Sequence, residues 1–318
     1  MMKYEIFKDA VTNKFLDYLP EKYRNAMIIV GPVQKVNTTL DSISIKMPNV
    51  KVSPTVYINN MYEQYQENGD FDETLSRTGA SFADAFEQMS TIDFDSILRD
   101  VKDKVVFQLI NTRQNQEFLK NLPHRDFLDL SIVYKIVVQI DQDGIQSTYV
   151  TNKIADAVEL DEGQLFKYAA ENTRKLFPPQ VHNIKEIMKR MYLEKGFPEG
   201  FADMMLEAID DGPFMWVISN FNYNMGAASM LYEDVLFEMA ERLKSDLYIL
   251  PSSVNEVIAV AADFCDPENL AQMVADINMS SVLLEERLSN QVYFYDRNLR
   301  KLSLATDTPN KTLDGEVA

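Results

Sequence analysis

The chain is short of the residues that most reactive sites need. It has one cysteine, Cys265, and two histidines, His124 and His182. A single cysteine excludes an intrachain disulfide and any cysteine-built zinc cluster. No H-x3-H spacing occurs, so no histidine-rich metal site is expected. Glycine is scarce, ten in 318 residues. The absence of G-x-G and G-K-[ST] removes the dinucleotide fingerprint and the P-loop. No G-x-S-x-G elbow is present to set up a serine nucleophile. No run of about 18 apolar residues appears, so no membrane span and no membrane partner is expected. The N-terminal MMKYEIFKDAVTNKF lacks the apolar stretch of a secretory leader, and the expectation is a cytoplasmic protein.

Positive charge is also in short supply. Lys and Arg number 31 against 49 Asp and Glu, giving a net charge of −18 and a pI of about 4.6. Nucleic-acid binders carry a basic face, so no nucleic-acid partner is expected. The acids are dispersed among apolar residues, as on a solvated surface. A sharper reading of the same charge is an acidic inhibitor or immunity-type protein that binds a basic partner.

What is present is a folded chain. Hydrophobic residues make up 46%, enough for a sizeable core at this length. The pattern predicts an α+β fold. An N-terminal α-β-β-β-α part has its first helix on Phe7, Val11, Phe15 and Tyr18, then strands at Met27–Val30, Leu40–Met47 and Val52–Ile58, then a helix on Met61, Tyr62 and Tyr65. Residues 70–122 read as mostly helical and acidic, with a loose join near Arg77–Ser81. After Pro123 a hairpin is predicted, Leu130–Ile140 and Ile145–Thr151 about the turn Asp141–Gly144. Asp161 and Gln164 form a capping box for a helix that Pro178-Pro179 ends. Two short helices follow at about 183–194 and 201–210. The last third reads β-α-β-β-α-β: a strand at Phe214–Ser219, a helix on Leu231–Leu243, strands at Asp246–Leu250 and Glu256–Ala261, a helix capped by Asp266 with Pro267, and a strand at Gln291–Tyr295. This ferredoxin-like order completes a mixed, mostly antiparallel sheet covered by helices. The expected domains are 1–122 and 123–305, with 306–318 a disordered tail.

Few motifs suggest chemistry. His124-Arg125-Asp126 imitates the kinase triplet, but Ser131 stands where the required Asn would be. The likeness reduces to a turn. Asp141-x-Asp143-Gly144 has neither the Gly nor the Glu spacing of a calcium loop. No metal and no cofactor is expected. Eight of the sixteen methionines lie between Met188 and Met239. Adjacent Met204 and Met205 cannot both face inward, so one is expected to line a groove.

Two loops carry uncharged polar groups. Ser219–Ser229 alternates asparagines and aromatics before small residues. Pro251-Ser-Ser-Val-Asn-Glu256 joins two strands, and its serines suit a turn. If both loops lie at one sheet rim, Asn222, Tyr223, Asn224, Ser252, Ser253, Asn255 and Glu256 form a binding site. A protein partner is the first expectation. The alternative is an enzyme acting through Ser252, Ser253, Asn255 and Glu256, with Asn224 nearby.

Leu122–Tyr134 (LPHRDFLDLSIVY), Ala170–Pro179 (AENTRKLFPP) and Leu247–Val257 (LYILPSSVNEV) resemble a domain-of-unknown-function family of Firmicutes, chiefly gut clostridia. The resemblance runs from the first helix to about Leu304 and implies no activity. The Pro-Ser-Ser segment and the loop before it are also similar to a second such bacillar family. The first family's pattern often has His after Pro-Ser-Ser-x; here it is Asn255, which hydrogen-bonds but is no base.

Overall fold

The computed structural model describes residues 1–48, 53–90, 93–141, 144–207, 215–307 and 313. The fold is α+β with antiparallel sheets and helices, in two compact units, Met1–Ser96 and Ile97–Ala318.

The first unit follows the expected α-β-β-β-α order. Helix α1 (Tyr4–Lys14) is followed by β1 (Met27–Lys35), β2 (Thr38–Lys46) and β3 (Thr55–Tyr57), then α2 (Ile58–Asn68) and α3 (Phe71–Ser90). The strands form an antiparallel sheet in chain order, so β3 is an edge. The core is aromatic: Phe7, Phe15, Tyr23, Tyr65, Phe82 and Phe86 are buried, with Phe7 stacked on Tyr65 at 5.1 Å. The expected join at Arg77–Ser81 is absent, since α3 runs through it. Gly79 is there for close packing: a Cβ would sit 2.6 Å from the Tyr18 carbonyl oxygen. The third expected strand is shorter than predicted. Ile58 already opens α2, and Val52 lies outside the described residues.

The second unit begins with α4 (Phe94–Arg99), which crosses the boundary, and α5 (Val101–Lys104). Next come β4 (Val105–Asn111), α6 (Gln116–Leu119), β5 (His124–Phe127), β6 (Leu130–Asp141) and β7 (Gly144–Tyr149). Strand β6 pairs with β4 on one side and with β5 and β7 on the other. The expected hairpin is present, although 142–143 of its turn lie outside the described residues. Strand β4 is a correction to the expectation that 70–122 is mostly helical. All seven of its residues are buried. Such a run lacks the alternation that marks a half-buried strand. Its pairing with β6 moves 97–122 into the second unit. The 122–129 turn is likewise partly strand, β5.

Helix α7 (Asn152–Ala157) is capped by Thr151, and α8 (Glu162–Leu176) by the Asp161–Gln164 box, with both bonds made. Helix α8 lies on β4. The Thr173 hydroxyl accepts from the Phe107 N–H at 2.8 Å. Pro179 opens a strand the sequence did not reveal, β8 (Pro179–Asn183), before α9 (Ile184–Glu194), α10 (Glu199–Glu207) and β9 (Trp216–Asn220). A 3-10 turn (Gly226–Leu231) leads into α11 (Glu233–Leu243), β10 (Leu247–Leu250), β11 (Val257–Ala261), α12 (Pro267–Ser281), β12 (Tyr293–Asp296) and a further unforeseen strand, β13 (Lys301–Leu304).

These strands make a six-stranded antiparallel sheet, β13-β12-β10-β11-β9-β8. The β-α-β-β-α-β succession is there, and each crossover helix skips one strand. The β10–β11 hairpin holds the centre, whereas the ferredoxin-like order puts the first and third strands there. Burial explains the centre: Leu247, Ile249, Leu250, Val257, Ala259 and Val260 are all inside. Helix α12 covers the sheet through Leu270, Ala271 and Val274. Of the expected disordered tail, Thr306 and Leu313 are buried, and the rest of 308–318 lies outside the described residues. The Thr306 hydroxyl accepts from the Val292 N–H at 3.0 Å.

Asp129 ties the two sheets of this unit. It accepts from Ser289 Oγ at 2.6 Å and from the Tyr293 hydroxyl at 2.5 Å. Burial pushes its carboxyl above the usual range, and the two hydrogen bonds only partly oppose this. A raised folded value means stability that is present at low pH and lost as pH rises through that value. Asp129→Asn keeps an acceptor and a donor for the two hydroxyls and cannot ionise. The expected result in urea unfolding is near-equality with wild type at pH 4 and greater stability than wild type at pH 8. A variant less stable at pH 8 than at pH 4, relative to wild type, contradicts this.

Candidate functional site

The two loops picked out by sequence do come together. The 221–225 loop leaves β9, and the 251–256 loop joins β10 to β11. Each is locally closed. Asn220 Oδ1 accepts from the Asn222 N–H at 3.0 Å, and its Nδ2 donates to the Asn224 carbonyl at 2.8 Å. Tyr223 and Met225 take left-handed backbone, φ +50° and +56°. A third segment, 286–289, brackets the second loop. Leu288 and Ser289 N–H donate to the carbonyls of Ser252 and Pro251, each at 2.9 Å, and Val254 N–H donates to the Glu286 carbonyl at 2.8 Å.

Asn255 is the hub of this junction. Its Oδ1 accepts from the Met225 N–H at 3.3 Å, its Nδ2 donates to Glu286 at 3.1 Å, and its carbonyl accepts from Ser219 Oγ at 2.7 Å. Its own N–H donates to Ser253 Oγ at 3.0 Å. Ser253 and Asn255 therefore spend their polar groups inside the fold. Ser252, Asn224 and Glu256 make no side-chain hydrogen bond among the described residues, and the Tyr223 hydroxyl is buried without a partner. Burial, and then Glu286, push the Glu256 carboxyl up. What this arrangement offers a ligand is hydrogen bonding from Ser252, Asn224 and the Glu256 carboxyl. The histidines hydrogen-bond elsewhere: His124 with the Leu122 carbonyl and His182 with Gln180.

The remaining motifs have structural roles. Arg125 forks onto Glu162 at 2.9 and 3.0 Å and lies 3.8 Å from the Phe166 ring centre, while Tyr134 bonds the same carboxylate. Burial pushes the Cys265 thiol up, away from the thiolate a nucleophile needs. Among the described residues no cluster of His, Cys, Asp and Glu could hold a metal ion.

A second site, which sequence reading missed, lies in the first unit. A groove of about 360 Å³ opens between β3, α2 and α3, within the range of ligand pockets. Pro54, Thr55, Val56 and Tyr57 all line it. Successive strand side chains point to opposite faces, so four consecutive residues can share a groove only if it runs along the strand's unpaired edge. Met61 and Phe82 supply an apolar floor, and Asn60, Gln64, Thr78 and Ser81 supply polar walls. Arg77 also lines it and is exposed. Among the described residues none of these polar side chains, Arg77 included, makes a hydrogen bond or ion pair with the protein. This holds in a chain with 49 acids, with Glu73 one turn back on the same helix. The signal in the sequence was Arg77, Ser81 and Ala85, one helical face of small and cationic residues.

Residues 4–297 match the model of a family of unknown function. The chain belongs to that family, DUF5688. The match to DUF5688 spans both structural units and ends within β12–β13. No curated protein and no solved structure matches the chain.

Proposed function

We propose that this protein is a non-enzymatic binding protein that takes the carboxylate end of an extended peptide into the groove of its first unit. The observation that carries this is Arg77, an exposed cation with no acid paired to it among the described residues, on the wall of a groove that follows a free strand edge. A strand edge offers unpaired backbone donors and acceptors, and an added peptide strand satisfies them. Guanidinium is the group best shaped to hold a carboxylate, by two parallel hydrogen bonds. From Arg77 to Ala85 the helix wall rises about 12 Å at about 1.5 Å per residue. That accommodates about four residues of extended chain at about 3.3 Å each. Met61 and Phe82 favour an aliphatic side chain near the end. The net charge of −18 favours basic residues upstream in the peptide.

The test is fluorescence anisotropy with a library of labelled pentapeptides, basic at the start and ending in an aliphatic residue with a free carboxylate. The expected result is binding that weakens about tenfold or more on C-terminal amidation or with Arg77→Gln, the loss of a charge-assisted hydrogen-bond pair. Equal binding of free and amidated peptides, or no binding by any member, overturns the reading.

A further inference from the structure

The α9–α10 hairpin (Ile184–Glu207) stands out by what it fails to bury. Helix α9 has no buried residue among its eleven, and α10 buries only Ala202 and Leu206. Met191, Leu193, Phe197, Phe201, Met204 and Met205 are exposed between 37% and 57%. Monomers scatter single exposed apolar residues; six large ones within fifteen positions form a patch. The patch is ordered within itself. Phe197 and Phe201 stack at 5.1 Å, and Tyr192 meets both rings edge-on. Met204 and Met205 are both exposed, and neither lines the groove described above.

The charges say what covers it. Helix α9 and the next residue carry Lys185, Lys189, Arg190 and Lys195 against Glu186 and Glu194, four positive and two negative. Helix α10 carries Glu199, Asp203 and Glu207 and no cation. Within one copy Lys189 bridges the two helices, to Glu199 at 3.0 Å and Asp203 at 2.8 Å. Arg190, Lys195 and Glu207 are exposed and have no ion pair among the described residues. Helix α9 with Lys195 is therefore net positive and α10 net negative, on an otherwise acidic molecule.

We infer that this hairpin is the interface between two copies of the chain. A two-fold axis lays α9 of one copy against α10 of the other. A two-fold interface uses the same patch twice and must be complementary to itself, and a basic helix beside an acidic one meets that requirement. The four helices then enclose the methionines and phenylalanines, and Arg190 and Lys195 reach the partner's acids. Methionine suits such a seam because its side chain adapts to small offsets.

Sedimentation velocity and light scattering on the full chain test this. Wild type is expected at twice 36.5 kDa in the micromolar range. Met204→Asp and Leu193→Asp, both already exposed, are expected to give a folded monomer of unchanged circular dichroism. Arg190→Glu with Lys195→Glu is expected to weaken the dimer at least tenfold. Adding Glu207→Lys, at an acid with no ion pair among the described residues, is expected to recover part of it. A wild-type monomer at 100 µM overturns the inference, whether or not another protein binds the patch. So does a dimer that persists in both Asp variants.

Discussion

Gly226→Ala is expected to be among the most damaging single substitutions in this protein. A Cβ at position 226 would stand 2.2 Å from Ser219 Oγ, 2.4 Å from the Asn255 carbonyl oxygen and 2.9 Å from the Asn220 N. Two of the three obstacles are backbone, and all three belong to segments held by the sheet. Ser219 and Asn220 end β9, and Asn255 lies in the loop two residues before β11. An alanine cannot be accommodated without moving the end of β9 away from the loop that leads into β11. Overpacking in a rigid site costs about 1–3 kcal/mol and sometimes more, and this one also breaks the Ser219–Asn255 bond. A loss of about 3 kcal/mol or more is expected, a fall in Tm of about 6–12 °C for a unit of this size. Gly200→Ala, in α10, meets nothing within 4 Å and is expected to stay within about 1 kcal/mol of wild type. Thermal unfolding followed by circular dichroism separates the two. An unchanged Tm for Gly226→Ala contradicts the close approach.

Asn255→Ala is expected to rank next. It removes the acceptor for the Met225 N–H and the donor to Glu286. Met225 is buried and in left-handed backbone, so its N–H has no ready substitute. Leaving a buried donor unpaired costs about 1–3 kcal/mol. The Glu286 carboxylate also loses its amide and stays beside Glu256, whose carboxyl that charge already pushes up. A total of about 2–3 kcal/mol is expected in denaturant unfolding. Ser252→Ala, one turn of the same loop away and without a side-chain partner, is expected to cost less than about 0.5 kcal/mol. Equal effects at the two positions would show that Asn255 is not the hub. The contrast also separates fold from recognition: if Asn255→Ala lowers stability but leaves peptide binding intact, the junction and the groove are independent.

Local chemistry was legible in the sequence, and long-range pairing was not. The Asp161–Gln164 box and the Asp266–Pro267 start are made as written, because a cap is settled within four residues. The β6–β7 hairpin follows for the same reason. Strand β4 was lost in an acidic stretch because a fully buried strand shows no alternation, and its partner begins nineteen residues after it ends. Strands β8 and β13 are short edges whose identity depends on neighbours. The convergence of the 221–225 and 251–256 loops was foreseen from their polarity. Their polarity turned out to be turned inward, onto Asn255, Asn220 and Ser253, which only the hydrogen-bond partners reveal. Only one wall of the groove, the Arg77–Ser81–Ala85 face, was legible, since Thr55 and Asn60 come from two other elements. What distinguishes Arg77 is that no carboxylate pairs with it among the described residues, a property of three-dimensional surroundings.

The most direct measurement of the central claim is a map of amide chemical shifts in the labelled full-length protein, titrated with one pentapeptide in its free-carboxylate and amidated forms. The free acid is expected to move Thr55–Tyr57, Arg77, Thr78 and Ser81, and the amide to leave them near their starting positions. Shifts confined to the 221–225 and 251–256 loops, or identical shifts from both forms, would contradict it.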